Sequence, residues 1–593
     1  MSPDGFSTLK YQTCLFGCLL GVVGTLFFLG GLAGHIGNRF LEFAVVAALA
    51  GTVVFFLYSL FLALRERGRV ASWLRPLILV ILVVEVVLCL VPPTARDELT
   101  HHLAIPRLYV RAGRIIEIPF APYSYYPMLL DMLYTPWIQW GYDSVPKLVH
   151  ALFGFLTALL LYAYLARRLS PLYGLLGIFF FISIPAILRV SNWAYVDLGV
   201  AFFSAASLIC LLRWLEDTNS RRWLVLGGLS AGFAAATKPN GIVALTLLVL
   251  LAAYASAKED RKPTQILFPP ALFSAIAALS FLPWALKNWF QTGNPFYPFF
   301  ASFFAGRPTS TTGGASFVGL GLLAKRELLY GESWWQIAAL PLRLFFFGAD
   351  DKPQHFDGVL SPLLILLLPW AFKGKWREEK KLFLSFVILY LAYALFLVDL
   401  RVRYVLPIVP PLVVLLVFGI HNVYLRIRRP FYLFAGLTIF AALNGVYLWQ
   451  YFRRVAPMAY VTGRESRDAY LTRVLPEYPA IQYINQKLPA NAKIYLLFVG
   501  RRAYYCERDY FHDGGDLPGF LLAAIQSAKT QADVYVRLEE QRLTHFLLRE
   551  DLFGRFLRDN LTPNERSVWE SFVANHVRRV FLDRGYAVYQ VYG

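Results

Sequence analysis

The sequence predicts a polytopic α-helical membrane protein of about thirteen transmembrane helices, closed by a small C-terminal α/β domain. Three observations predict it. Of the 593 residues, 57% are hydrophobic and only 16% are charged, where a soluble domain carries roughly 25% charged residues. Apolar runs long enough to cross about 30 Å of hydrocarbon recur from the N-terminus to about residue 450. The short connections between them alternate between rich and poor in Lys and Arg, as the two sides of a membrane demand.

In chain order the expected spans are 12–34, 41–64, 75–93, 146–165, 171–188, 195–213, 223–239, 241–257, 265–287, 358–372, 382–399, 404–421 and 430–450. One set of connections holds "RERGRVASWLR", "ARRL", "RWLEDTNSRR", "KEDRK", "KGKWREEKK" and "LRIRR", with twenty Lys and Arg. The other set holds five: Arg39, Arg189, Lys238, Arg401 and Arg403. The basic set is expected in the cytoplasm together with the N-terminus. The net charge of +19 is therefore mainly a topology signal and not a nucleic-acid footprint. Lys10 precedes the first apolar run, and no small-residue cleavage site follows that run, so it is expected to be a retained helix.

Three segments project on the outer side. The first, 94–145, opens "TARDELTHHLAIPRLYVRAGRI"; Leu99, Leu103 and Leu108 among polar residues suggest an interfacial amphipathic helix. The second, 288–357, contains "TGNPFYPFF", the tract "GRPTSTTGGASFVGLG" expected to be a mobile loop, and "SWWQIAALPLRLFFFG" with interfacial tryptophans. The third, 452–593, has soluble composition. Its runs "KIYLLFVG", "THFLLRE" and "YAVYQVYG" suggest strands, and "EYPAIQYINQKL" a helix. The expected division is a membrane domain over 1–451 and an outer α/β domain over 452–593. Of the five cysteines, four lie in apolar runs, so no disulfide framework is expected.

Ionisable residues gather where spans meet the outer surface. On a helix Asp97 would share a face with His101, and Glu98 with His102. A carboxylate at this boundary could take the proton of an acceptor hydroxyl. Asp197 lies just inside the sixth span, where an acid is costly and defaults to function. Lys238 in "ATKPNG" and Arg403 with Tyr404 in "VRYVLP" lie on the same leaflet, suited to holding a phosphate as a point charge and a fork. A divalent metal on Glu98, His102 and Asp197 is chemically possible, although the spacing matches no closed zinc pattern. No phosphate-binding P-loop or dinucleotide glycine motif is present, and the cytoplasmic connections are too short for a nucleotide-sugar domain.

The ordered set "RDELTHHLAIPRLYVRAGRI", "WAYVDLGVAF", "TKPNG", "NWFQTGNPFYPF", "DGVLSPL" and "RYVLP" resembles the GT-C superfamily of polytopic glycosyltransferases, in particular its bacterial aminoarabinose-transferase and protein O-mannosyltransferase-like branch. The resemblance covers about residues 75–420; His101 stands where relatives often carry tyrosine. It implies a sugar donor on a polyprenyl phosphate, a lipid, glycan or protein acceptor, and inverting transfer on the outer leaflet of the cell membrane. By position it implies Asp97 as base, Glu98 orienting the acceptor or a metal, and Asp197 as second acid. Lys238 and Arg403 would hold the donor phosphate; His101, His102 and Tyr404 would bind substrate, and Asn288, Asn294 and Tyr297 would shape the donor-side loop. A lipid-pyrophosphate-dependent polymerase or ligase, or a transporter, is the alternative. A transporter would place its charges at mid-membrane on broken helices within repeats, whereas here they cluster at outer helix ends.

Overall fold

The computed structural model describes residues 3–257, 263–300, 303–304, 322–394, 399–515 and 517–593. The helices run α1 Pro3–Leu32, α2 Arg39–Leu64, α3 Arg69–Cys89, α4 Ala104–Ala112, α5 Leu129–Gln139, α6 Val145–Arg168, α7 Pro171–Ile182, α8 Pro185–Ser191, α9 Asp197–Glu216, α10 Arg221–Thr237, α11 Pro239–Ala257 and α12 Pro263–Thr292. Short helices α13 Leu322–Tyr330, α14 Trp334–Ala338, α15 Leu340–Phe346, α16 Leu363–Leu366 and α17 Leu368–Ala371 follow, then α18 Arg377–Ala394, α19 Val409–Ile427 and α20 Pro430–Val455. Among the described residues nine helices are long and apolar enough to cross a bilayer, or ten if α7 and α8 form one bent span. The other three expected spans fall on α10, the broken pair α16–α17, and α18. The expected span 171–188 is not straight: it bends by 68° between α7 and α8, where Pro185 opens a new helix. The tract "GRPTSTTGGASFVGLG" lies outside the described residues.

Burial sorts the helices into layers. In α2, α12 and α20 large apolar side chains face outward, among them Phe43, Leu279 and Leu443, because their solvent is lipid. Helices α6, α9 and the stretch leading into α19 are buried almost all round. These central elements carry His150, Asp197 and Arg403, so the charged groups meet inside the bundle at one end.

The segment that was expected to be an interfacial helix has another role. Leu99 and Leu103 are buried, as are Ala104, Ile105 and Tyr109 of α4. The apolar face of α4 packs against α5, not against lipid headgroups. Its polar face is gripped by the C-terminal region: Arg107 donates to the Tyr504 carbonyl at 2.6 Å and Arg111 to the Cys506 carbonyl at 2.8 Å. The backbone N–H groups of Ala503 and Tyr504 donate to the Leu99 carbonyl. Arg467 forks onto buried Asp143 at 2.5 and 3.1 Å.

Residues 493–591 form a five-stranded sheet in the order β2-β1-β3-β5-β4. The strands are β1 Lys493–Leu497, β2 Asp509–Phe511, β3 His545–Arg549, β4 Val577–Asp583 and β5 Tyr586–Val591. β1 pairs in parallel with β2 and β3, while β5 runs antiparallel between β3 and β4. The three strands legible in the sequence are the inner ones. β2 and β4 are edges, one only three residues long and the other carrying Arg578 and Arg579, as edges that resist further pairing do. All five cysteines are free and buried.

Candidate active site

The loop after α3 enters the site through one unusual turn. Glu98–His102 is a π-helical turn, one residue wider than an α turn and often found at functional sites. The extra residue breaks the spacing expected of an α-helix. His101 and His102 both line a cavity with Asp97, while Glu98 does not. The cavity holds about 420 Å³ and is also walled by Lys238, Arg403 and Tyr404.

Two ion pairs stand at it, three of their four members lining it. Asp97 Oδ2 accepts from Arg403 Nη1 at 2.5 Å. Asp197 Oδ1 accepts from Lys238 Nζ at 2.7 Å. Tyr404 joins the pairs: its ring lies 4.9 Å from the Arg403 guanidinium and 5.1 Å from the Lys238 ammonium. Tyr195 covers Arg403 at 5.0 Å and accepts from the Asp97 backbone N–H at 3.2 Å. Burial would raise the Asp97 carboxyl, but the charge and hydrogen bond of Arg403 outweigh it and hold the group well below the usual carboxylate range. Asp97 is thus ionised and, while so paired, a weak base.

A second pair lies beside the first. His102 Nδ1 and Asp131 Oδ1 are 2.9 Å apart and both side chains are buried. Burial pushes Asp131 up and His102 down to about 3, disfavouring the charged form of each. His101 stacks on Tyr123 with centroids 4.4 Å apart and is joined to the Thr100 hydroxyl at 2.9 Å.

Two residues expected in the chemistry lie behind the cavity wall. Glu98 is fully buried. Its Oε2 accepts from the backbone N–H groups of Thr94 and Ala95 at 2.9 and 2.7 Å, and its Oε1 from Ala194 at 2.6 Å. It staples the loop carrying Asp97 to the strand of chain that enters α9, and so positions both acids. Glu98→Gln would set an amide donor against backbone donors; we expect a loss of about 1–3 kcal/mol, read as a lower unfolding temperature in detergent. An unchanged transition would remove the staple assignment. Asp197 is 3% exposed and its Oδ2 is buried without a partner among the described residues; it orients Lys238 from behind. His150 steadies the same helix end, its Nε2 accepting from Leu198 N–H at 2.9 Å.

The three residues expected to shape a donor-side loop act at one remove. Asn288 donates to the carbonyls of Tyr125 and Tyr297 at 2.8 and 3.2 Å, and Asn294 to that of Phe299 at 2.7 Å. Tyr297 meets Tyr125 edge-on at 4.7 Å. None of the three lines the cavity, whereas Phe299 does. The expected ligand set Glu98, His102 and Asp197 offers too few free donors for a metal: backbone N–H groups occupy both Glu98 oxygens, Asp131 meets His102 Nδ1 and Lys238 holds Asp197 Oδ1, which leaves only His102 Nε2 and Asp197 Oδ2. Among the described residues no group of three or more His, Cys, Asp or Glu could hold one.

Sequence reasoning missed Asp131, Arg96, Lys325, Arg401 and Arg501, all of which line the cavity. Asp131 had a readable signal as the lone acid in the apolar stretch "MLLDMLY". Arg96 and Arg401 stand close to Asp97 and Arg403 in sequence and were passed over, whereas Lys325 and Arg501 come from distant segments with nothing local to mark them.

Residues 138–295 match the family model described as dolichyl-phosphate-mannose-protein mannosyltransferase. The chain is similar in structure to ArnT from Cupriavidus metallidurans in the apo state, with TM-score 0.54 and 16% identity over 87% of this chain and 97% of that one. It is similar also to the same protein bound to undecaprenyl phosphate, with TM-score 0.51 and 16% identity over 87% and 98%. No curated relative matches. The chain thus has the GT-C fold of a multi-pass membrane protein, and the family match within that fold supports a membrane glycosyltransferase.

Proposed function

We propose that the protein transfers a sugar from a polyprenyl-phosphate donor to a hydroxyl-bearing lipid, glycan or protein acceptor, at the outer leaflet of the cell membrane. The observation that carries this is the cavity itself: two cations, Lys238 and Arg403, face it at the ends of buried helices, with an acid paired to each. ArnT, of the same fold, has been captured with undecaprenyl phosphate. Residues 1–451 would form the membrane catalytic domain and 452–593 its outer α/β domain, with the twenty Lys and Arg of the basic connections in the cytoplasm.

The acceptor oxygen attacks the anomeric carbon from the face opposite the phosphate, and its proton passes to Asp97. The bond from that carbon to the phosphate oxygen breaks, and its electron pair leaves on the phosphate. The configuration inverts. Lys238 and Arg403 answer the charge that grows on the leaving phosphate, which is the larger electrostatic demand. Asp197, Glu98, Asn288, Asn294 and Tyr297 act through the groups they position; His101, His102 and Tyr404 bound the sugar space.

The test offers the protein, in sealed right-side-out vesicles, a panel of polyprenyl-phosphate sugars or the matching nucleotide sugars, with acceptor outside. Transfer is expected from a lipid-linked donor only. Transfer from a nucleotide sugar alone would sink the donor assignment, and transfer confined to inside-out vesicles would invert the topology.

A further inference from the structure

Resting on that reading, we propose that Arg403 locks Asp97 until the donor arrives: the donor phosphate and Asp97 compete for one guanidinium, so donor binding frees the base and must precede productive acceptor binding. The geometry leaves little alternative. Arg403 Nη1 is held by Asp97 at 2.5 Å and Nη2 reaches the Tyr404 hydroxyl at 3.3 Å, so the two-nitrogen edge that would grip a phosphate is already engaged. Tyr195 and Tyr404 rings lie against the guanidinium, which leaves it little room to turn another edge to the cavity.

Asp97 depends on this contact in turn. Among the described residues Arg403 is the only side chain that hydrogen-bonds its carboxylate, and Asp97 is 19% exposed to the cavity. With the guanidinium drawn onto phosphate, the carboxylate keeps its burial but loses its counter-charge, and that loss favours taking up a proton. The second pair behaves differently. Asp197 lies behind the wall, and an ammonium has three donors, so Lys238 can hold Asp197 and a phosphate together. One pair is therefore a fixed anchor and the other an exchangeable lock. The arrangement keeps the base inactive while no electrophile is present, and couples donor occupancy to basicity.

The test measures the affinity of the full chain in detergent for undecaprenyl phosphate, by intrinsic tryptophan fluorescence, for wild type, Asp97→Asn, Arg403→Gln and the double variant. Removing the competing carboxylate is expected to tighten binding by about tenfold or more, although the same substitution abolishes the base. Arg403→Gln weakens binding, and on that background the gain from Asp97→Asn shrinks to under about threefold, the coupling that a double-mutant cycle isolates. Asp97→Ser serves as a second variant of the same logic, with thermal unfolding as the fold control. Unchanged or weaker binding by both Asp97 variants overturns the lock. So does a gain of equal size without Arg403, which would be plain repulsion between carboxylate and phosphate. Failure of the wild type to bind undecaprenyl phosphate would overturn the donor reading itself, and the lock with it.

Discussion

Asp97→Asn is expected to lower turnover by about 10²–10⁴-fold, the range for loss of a positioned general base. The amide keeps the shape of the carboxylate, and the backbone N–H that Tyr195 receives is untouched. The loop is also held from behind by Glu98, whose three backbone contacts do not involve the Asp97 side chain. The variant should therefore fold, and the loss should be chemical. Steady-state turnover by purified protein, with the unfolding temperature as control, decides it. Near-wild-type turnover would mean that another group takes the proton, and the buried pair His102–Asp131 would be the first to test. The expected combination is distinctive, because a variant that is almost inactive would bind the donor phosphate more tightly than the active protein.

Most of the architecture was legible in the sequence because the membrane writes in long apolar runs and loop charge. Those signals are one-dimensional, and they survive without knowledge of packing. The site was legible to the extent that an ionisable side chain in an apolar stretch is conspicuous, which is why Asp97, Asp197, Lys238 and Arg403 stood out. What could not be read was which way each side chain faces. Glu98 is the neighbour of Asp97 in sequence, yet Asp97 lines the cavity while Glu98 turns back onto backbone N–H groups, at the start of a π turn. No residue preference announces such a turn. Local spacing put Asp97 on a face with His101, and these two do line one cavity, but it put Glu98 with His102, which part; the ion pairs are long-range: Asp97 with Arg403, Lys238 with Asp197, and His102 with Asp131. The bend between α7 and α8 was not legible, because the run around Pro185 is continuously apolar and reads as one span over 171–188. In the C-terminal region β2 and β4 were unreadable because an edge strand protects itself by lacking the apolar alternation that identifies its neighbours.

Arg403→Lys is expected to lower kcat/KM for the donor by about 30- to 3,000-fold, the equivalent of roughly 2–5 kcal/mol for loss of a buried charged contact. The upper part of that range applies because the Arg403 side chain is only 8% exposed, whereas a water-exposed pair would contribute far less. Lysine keeps the charge but not the fork: it cannot meet an oxygen and the Tyr404 hydroxyl from one plane, nor lie flat between the rings of Tyr195 and Tyr404. The effect should fall on the donor more than on the acceptor, since the charge that Arg403 answers belongs to the donor. Lys238→Gln makes a useful contrast. It too removes a cation proposed to hold the phosphate, but it strands Asp197, which is 2% exposed in its side chain and whose Oδ2 already lacks a partner among the described residues. An uncompensated buried carboxylate costs about 3–5 kcal/mol, so this variant should lose stability as well as donor use. Arg403→Lys should lose donor use with a smaller change in unfolding temperature, because Asp97 keeps a positive neighbour. Donor and acceptor KM values, kcat and the unfolding temperature, measured for both variants, separate the two cases. Equal losses for donor and acceptor in Arg403→Lys would remove Arg403 from the phosphate site. An unchanged unfolding temperature in Lys238→Gln would mean that Asp197 is held by something other than the ammonium.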